Sequence, residues 1–127
     1  MHRKFNPPTI RSPGTYMHGV ESAPGLRWLH VAGQVGVEKD GTLAPDCATQ
    51  AATVFDNLFE VLKGADMGIE DIVKITTFMV DRNDMPAMRE ARANAFGNVR
   101  VASTLLIVAG LAQPELKIEV ECIAAKA

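Results

Sequence analysis

The sequence has few cysteines, few aromatic residues and no cluster of basic residues. Its 127 residues include two cysteines, one tryptophan and one tyrosine, and its formal net charge is −2. The longest run of lysine and arginine is the pair Arg3-Lys4, whereas binding to a phosphate backbone requires clustered positive charge. Aromatic residues, on which bases could stack, make up only 6% of the chain. We therefore expect no nucleic-acid partner.

The two cysteines predict neither a disulfide nor a metal site. Cys47 and Cys122 stand far apart in apolar surroundings, and the sequence has no C-x-x-C pair and no cysteine–histidine spacing typical of zinc ligands. Isolated cysteines of this kind are usually small buried hydrophobic residues in a reducing compartment. We therefore expect no metal and a cytoplasmic location.

Long hydrophobic segments are also absent. The longest apolar stretch covers about residues 105–112, which is far shorter than a membrane-spanning helix. The N-terminal segment "MHRKFNPPTI" has basic residues but lacks the apolar region of a secretory signal. We expect no membrane partner.

The length and the apolar content predict one domain over residues 1–127 with an aliphatic core. Hydrophobic residues make up 47% of the chain. A chain of this length buries roughly two thirds of its unfolded surface, so it needs neither disulfides nor a metal for stability.

Hydrophobic periodicity and turn residues predict five strands and two helices. The predicted strands cover residues 15–21, 26–38, 71–81, 101–108 and 116–125, and the predicted helices cover residues 47–65 and about 84–96. Asp46 is the expected N-cap of the first helix and Gly64 its C-terminal stop. The first two strands are expected to form a hairpin, and the proline-containing first dozen residues to be extended or irregular.

The strand over residues 101–108 is apolar on both faces except for two hydroxyl residues near its start. A strand of this kind must be covered on both sides. Two helices cover only one face of a sheet, so we expect the other face to be buried between copies of the chain.

Four segments resemble the RidA family, also called YjgF or L-PSP. They are "GTYMHGV" (14–20), "HVAGQVGV" (30–37), the segment over residues 57–88 and "VASTLLIVAGLAQPELKIEVECIAA" (101–125). The resemblance implies an α+β, chorismate-mutase-like fold, a single sheet covered by two helices, in a homotrimeric barrel with clefts between subunits. It also implies hydrolysis of enamines and imines derived from amino acids, without a metal or a covalent cofactor.

The resemblance places Ser103 where the family has the arginine that binds the substrate carboxylate. Ala102 and Thr104 match their positions in the family motif "P-A-R-[ST]" around it. Leu105 stands two residues after that arginine, where cysteine or threonine is common. A serine hydroxyl is neutral and has a shorter reach than a guanidinium, so the pocket is expected to lack its usual anion clamp.

The resemblance also assigns roles to other positions. Glu119 matches the carboxylate that positions or activates water, which makes it the one catalytic candidate. Gly33 keeps a backbone N–H for a ligand, Ala32 replaces a serine, and Tyr16 keeps the tyrosine of the motif "G-P-Y". Arg89 lies where relatives place a polar residue facing the cleft.

Some residues keep two interpretations. Arg89 is either a replacement for the missing charge or an ordinary exposed helix residue. His18 and His30 are spaced like hairpin partners and could bind metal or move protons, but they fit a structural role better. Arg100 stands three residues before Ser103, and strand alternation turns it to the opposite face.

Two functions follow as expectations. The first is hydrolysis of a C=N or enamine bond in a small metabolite, by an enzyme unlike a standard 2-imino-acid deaminase because Ser103 replaces the arginine. The alternative is a non-catalytic trimer that binds a small molecule or serves assembly. RNA cleavage, attached to the family by its L-PSP name, finds no support in the charge or composition.

Overall fold

Two helices pack on one face of a mixed sheet in the computed structural model, which describes residues 2–127. The strands are β1 (His2–Phe5), β2 (Gly19–Ser22), β3 (Arg27–Val35), β4 (Ile72–Met79), β5 (Ala102–Ile107) and β6 (Ile118–Lys126). The helices are α1 (Cys47–Gly64) and α2 (Met85–Phe96), and short 3₁₀ turns cover Ile69–Asp71 and Arg82–Asp84.

The ends of the helices follow from local chemistry. The Asp46 carboxylate accepts a hydrogen bond from the backbone N–H of Thr49, as expected for the N-cap of α1. Gly64, expected to end α1, is instead its last helical residue. The left-handed conformation that follows the helix falls on Asp66, whose φ is 56°. Pro86 lies in the first turn of α2, and Gly97 follows its end with a φ of 55°.

The main sheet has the strand order β3-β6-β4-β5, with β4 and β5 parallel and the other pairs antiparallel. Apolar and charged residues alternate in "LKIEVEC" (116–122), which predicts one buried face for β6. This prediction is confirmed, since Ile118, Val120, Cys122 and Ala124 are buried while Glu121 is exposed. These residues face the helices and form one core with the buried stripe of α1, which includes Ala51, Phe55, Leu58 and Leu62.

The predicted hairpin between the first two strands is wrong. Strand β2 pairs with β1 in a separate two-stranded ribbon, and β3 pairs with β6 instead. The first dozen residues, which are expected to be extended or irregular, include the extended strand His2–Phe5 that pairs with β2, and an Arg3–Glu21 ion pair of 2.6 Å joins the two strands. The segment before β2 continues to the edge of β5, where the Met17 N–H donates to the Val101 carbonyl.

The second face of the main sheet carries no helix within residues 2–127. Trp28 is 51% exposed and Leu106 45% exposed on this open face, and Phe78 and Ile123 are half-buried beside them. The second cover predicted from the sequence is therefore not supplied by the described part of the chain. None of its helices is both long enough and apolar enough to span a membrane.

Candidate functional site

The first cavity lies between α2 and the edge strand β5 and has a volume of about 450 Å³. We call it the arginine pocket. It is lined by Thr15, Met85, Met88, Arg89, Arg92, Ala93, Phe96, Gly97, Val99, Arg100 and Leu105. Three of these side chains are arginines and none is acidic, so the pocket is positive in a protein whose net charge is −2.

Arg92 fixes the charge at the inner wall of this pocket. Its Nη1 donates a 2.8 Å hydrogen bond to the Ser103 hydroxyl oxygen, and its guanidinium carbon lies 5.3 Å from the centre of the Phe96 ring. Burial lowers the pKa of the Arg92 guanidinium, and the charge of Arg100 lowers it further. Ser103 is therefore the acceptor of a half-buried cation rather than an isolated hydroxyl.

The expectation that Arg100 points to the opposite face from Ser103 is wrong. Arg100 precedes β5 and lies in irregular chain, so strand alternation does not apply to it. Its Nη1 donates to the carbonyls of Gly97 and Val99 at 3.0 and 3.4 Å, and its side chain lines the arginine pocket.

The arginines of this pocket have no acidic partner in the described chain. Arg89 is exposed at the pocket, and no hydrogen bond of its side chain is found within residues 2–127. The ion pairs formed by those residues are Arg3–Glu21 and Lys126–Asp66, and neither involves a residue of α2 or of the arginine pocket.

The second cavity, of about 400 Å³, lies on the open face, and we call it the glutamate pocket. It is lined by Gly33, Phe78, Val108, Gly110, Leu111, Ala112, Glu119 and Glu121. A Cβ atom at position 33 would overlap the Glu119 carboxylate, so glycine is what lets this side chain lie against the backbone of β3.

The two cavities open on opposite faces of the sheet. Ser103 and Leu105 point toward the helices, whereas Thr104 and Glu119 belong to the open face. Thr104 accepts a 2.6 Å hydrogen bond from the Lys74 ammonium on that face. Within one chain, the sheet therefore lies between Ser103, the predicted ligand-binding residue, and the predicted catalytic carboxylate of Glu119.

Like Ser103 and Thr104, the remaining predicted residues, Tyr16 and Ala32, lie outside both linings. Tyr16 is half-buried next to Thr15 of the arginine pocket, and its ring meets the His18 ring edge-to-face at 6.0 Å. Ala32 is exposed at the irregularity where the register of β3 shifts against β6. Both positions stay predictions as ligand contacts.

The histidines do not form the pair that a hairpin would have produced. The His18 ring is within 2.8 Å of the Arg11 carbonyl, while His30 is exposed on β3 and opposite Ile123. Within residues 2–127, no cluster of three or more histidine, cysteine or acidic residues is placed to hold a metal ion.

Both cysteines are free and buried. Burial raises the pKa of the Cys47 thiol to about 11 and that of the Cys122 thiol to about 12. A thiol of such a high pKa is a poor nucleophile at neutral pH, so neither cysteine is a catalytic candidate.

Sequence analysis missed Arg92, which is the arginine closest to Ser103. The available signal was its spacing of three residues from Arg89, which places both side chains on one face of α2. The contact itself depends on how α2 crosses β5, which local sequence does not specify.

Comparison with known proteins agrees with this fold. A family model described as Endoribonuclease L-PSP matches residues 9–126. The chain belongs to this family. Among relatives, the RutC family protein UK114 of Drosophila melanogaster is 38% identical over 100 residues, covering 77% of this chain and 72% of that protein. The 2-iminobutanoate/2-iminopropanoate deaminase of Escherichia coli strain K12 is 32% identical over 117 residues, covering 89% and 88% of the two chains.

Solved structures of the RidA family share the architecture. The Rid family protein YyfB of Yersinia pestis superimposes with a TM-score of 0.87 at 34% identity, covering 98% of each chain. The resemblance to the RidA family and the predicted α+β fold of that family are therefore confirmed.

Proposed function

We propose that this RidA-family protein hydrolyses a C=N or enamine bond of a small metabolite at clefts formed between copies of the chain. The observation that favours this proposal most is the Glu119 carboxylate, which lies against the glycine backbone of β3 inside a cavity. A relative that is 32% identical is named a deaminase of 2-imino acids.

The separation of the two pockets supports a shared site. Glu119 and Ser103 lie on opposite sheet faces, so a cleft containing both needs the glutamate pocket of one chain beside the arginine pocket of another. The uncovered apolar face of the sheet favours such an assembly, and we propose that it is a homotrimer acting in the cytoplasm.

In the proposed reaction, water adds to the carbon of a protonated C=N bond. Glu119 accepts a proton from this water and returns it to the nitrogen of the resulting carbinolamine. The C–N bond then breaks, the hydroxyl proton passes to the departing ammonia, and a carbonyl compound and ammonium are released. The family resemblance that places Gly33 at the cleft assigns its backbone N–H as a donor to the oxygen that forms. An enamine enters the same path after protonation at carbon, and the reaction consumes one water per ammonia released.

We further propose that the preferred substrate differs from short 2-imino acids. Position 103, matched by resemblance to an arginine, carries a neutral hydroxyl, and the nearest guanidinium comes from α2 instead. A shift of the anion-binding group relative to Glu119 changes which imine is correctly placed for attack.

The test is an imine-hydrolysis assay. An amino-acid oxidase generates imines from several amino acids, and release of the keto acid is followed with wild-type protein, Ser103→Arg, Glu119→Gln and the surface control Glu60→Gln. We expect Glu119→Gln to lower the accelerated rate by about 10²-fold or more, a typical loss when a general base is removed. Glu60→Gln should retain the wild-type rate, since Glu60 is exposed on α1.

The outcomes separate the alternatives. Acceleration by wild-type protein with bulky imines supports the proposal. If only Ser103→Arg accelerates hydrolysis, the natural ligand of the wild-type protein is something other than an amino-acid imine. No acceleration by any variant would contradict the hydrolase and favour the binding trimer.

A further inference from the structure

The arginine pocket combines three cationic side chains with an apolar wall. Arg89, Arg92 and Arg100 line it without any acidic side chain, and none of them forms an ion pair within residues 2–127. A half-buried cation is costly unless it is paired. Residues 2–127 therefore supply no negative charge to balance the arginines of this pocket.

We propose that the arginine pocket binds an organic anion with an apolar body, and that Arg92 and Ser103 together hold its anionic group. The group is a carboxylate or a phosphate, which share the chemistry of several acceptor oxygens around one negative charge. This inference rests on the proposed function, because the anion is taken to be the substrate of the same cleft, but its binding is measurable without turnover.

The hydrogen bonds of Arg92 support its role, with Ser103, in holding the anionic group. A guanidinium has five N–H donors, and Arg92 uses one of them, at 2.8 Å from the Ser103 oxygen. Ser103 is not itself a lining residue but borders the pocket through Arg92, and since it accepts this bond, its O–H can donate to an anion held by Arg92. One anionic group can thus receive bonds from both side chains, which is the arrangement that favours carboxylate and phosphate oxygens.

The other two arginines have different parts in the proposal. The Arg100 guanidinium already donates to two backbone carbonyls, so it holds a fixed position and contributes charge. Arg89 is exposed at the pocket and adds an attractive charge for an entering anion.

The apolar wall defines the rest of the ligand. Met85, Met88, Phe96, Val99 and Leu105 line the pocket beside the arginines. A volume of about 450 Å³ falls in the range of roughly 300–1,000 Å³ that suits organic ligands. A very short acid would leave this wall uncovered, and a nucleic-acid backbone would need a basic track rather than one cavity.

The experiment is calorimetric titration of the full-length protein with hexanoate, hexyl phosphate, acetate and the neutral hexanamide. The variants are Arg92→Gln, Ser103→Ala and the exposed-arginine control Arg82→Gln, with thermal unfolding confirming that each is folded. We expect hexanoate or hexyl phosphate to bind at least tenfold more tightly than acetate and hexanamide. Arg92→Gln should weaken that binding about 10- to 100-fold, Ser103→Ala less, and Arg82→Gln not at all.

Several results would decide the matter. A preference for hexanoate identifies a carboxylate ligand, and a preference for hexyl phosphate a phosphate. Equal binding of hexanamide and hexanoate, or equal losses in Arg92→Gln and Arg82→Gln, would overturn the inference. Glu119→Gln separates it from the proposed function, because that variant should keep hexanoate binding that depends on Arg92 while losing hydrolysis. If the wild-type protein binds the anion through Arg92 but hydrolyses no imine, the proposed hydrolytic function is refuted and the anion-binding site is not.

Discussion

At the scale of single residues, burial decides what Cys47 and Cys122 can do. Each is only 3% exposed, and burial raises their pKa values to about 11 and about 12. At pH 8 a thiol of pKa about 11 is ionised in roughly one molecule in a thousand. Both side chains are therefore packing groups of the core rather than reactive groups.

We predict that neither thiol reacts with a disulfide reagent such as Ellman's reagent at pH 8 until the protein unfolds. The measurement is the rate of thiol labelling in buffer and in denaturant, with two thiols expected per chain after unfolding. Rapid labelling of the folded protein would contradict this prediction, since only an exposed thiolate reacts readily.

The same raised pKa values predict a loss of stability at alkaline pH. A thiol whose pKa is higher in the folded state contributes stability below its unfolded pKa of about 8.5, and this contribution is lost as pH rises toward the folded value. The free energy of unfolding in urea should therefore fall between pH 7 and pH 10. The fall should be smaller in a Cys47→Ala/Cys122→Ala double variant, which differs from the wild type only in lacking the two thiols.

Arg92 illustrates which residue-scale features local sequence does not determine. The pattern predicted Asp46 as a cap and the buried face of β6, because both depend on neighbours close in sequence. The hydrogen bond from Arg92 to Ser103 joins a helix to a strand and depends on their packing. Arg100 was wrongly assigned because strand alternation was extended beyond the first residue of β5.

At the scale of elements, Gln50 joins the start of α1 to the segment before β6. Its side chain is fully buried, and its Nε2 donates to the carbonyls of Ala44 and Glu115 at 2.8 and 3.0 Å. Its Oε1 accepts the Lys117 N–H at 2.9 Å. The side-chain amide of Gln50 thus forms hydrogen bonds with three backbone groups, which belong to two loops outside the helices and strands.

We predict that Gln50→Leu destabilises the protein by about 2–5 kcal/mol, because it leaves these buried backbone groups unpaired. Urea unfolding measures the change, and Gln113→Leu, at an exposed position, is the matched control with little expected effect. A Gln50→Leu protein as stable as the wild type would show that water replaces the amide.

The pairing of the N-terminal strands is the element that sequence reasoning placed wrongly. Residues 15–21 have a strand pattern, and the nearest strand in sequence was the expected partner. The actual partner is β1, and the ribbon of β1 and β2 leaves β3 free to pair with β6. Two short strands with weak patterns leave the choice of partner to the packing of the whole domain.

At the scale of the whole molecule, the open sheet face is the feature that one chain leaves incomplete. The accessible surface of 7323 Å² exceeds the roughly 6,600 Å² expected for a compact monomer of this size. Leu106 is opposite Phe78 in register on this face, and Trp28 lies exposed at its other end. The sequence predicted such a face because β5 has apolar residues on both sides.

We predict that the protein is a trimer at micromolar concentration and that Leu106→Glu converts it to smaller species. Burying the added carboxylate in an apolar interface would be costly. Sedimentation velocity measures the mass, and the single tryptophan reports on the same face, because the Trp28 emission should shift to longer wavelength when the face becomes exposed. Val61→Glu is the control, since Val61 is an exposed apolar residue of α1 on the other side of the molecule.

The assembly prediction and the proposed reaction have a shared consequence. Because Glu119 and Ser103 lie on opposite faces of one sheet, a folded monomer would hold the two halves of the cleft apart. Leu106→Glu should therefore lose imine hydrolysis together with assembly, while Val61→Glu keeps both. A monomeric wild-type protein, or a Leu106→Glu monomer with full hydrolytic activity, would refute a cleft shared between chains and confine the chemistry to one pocket.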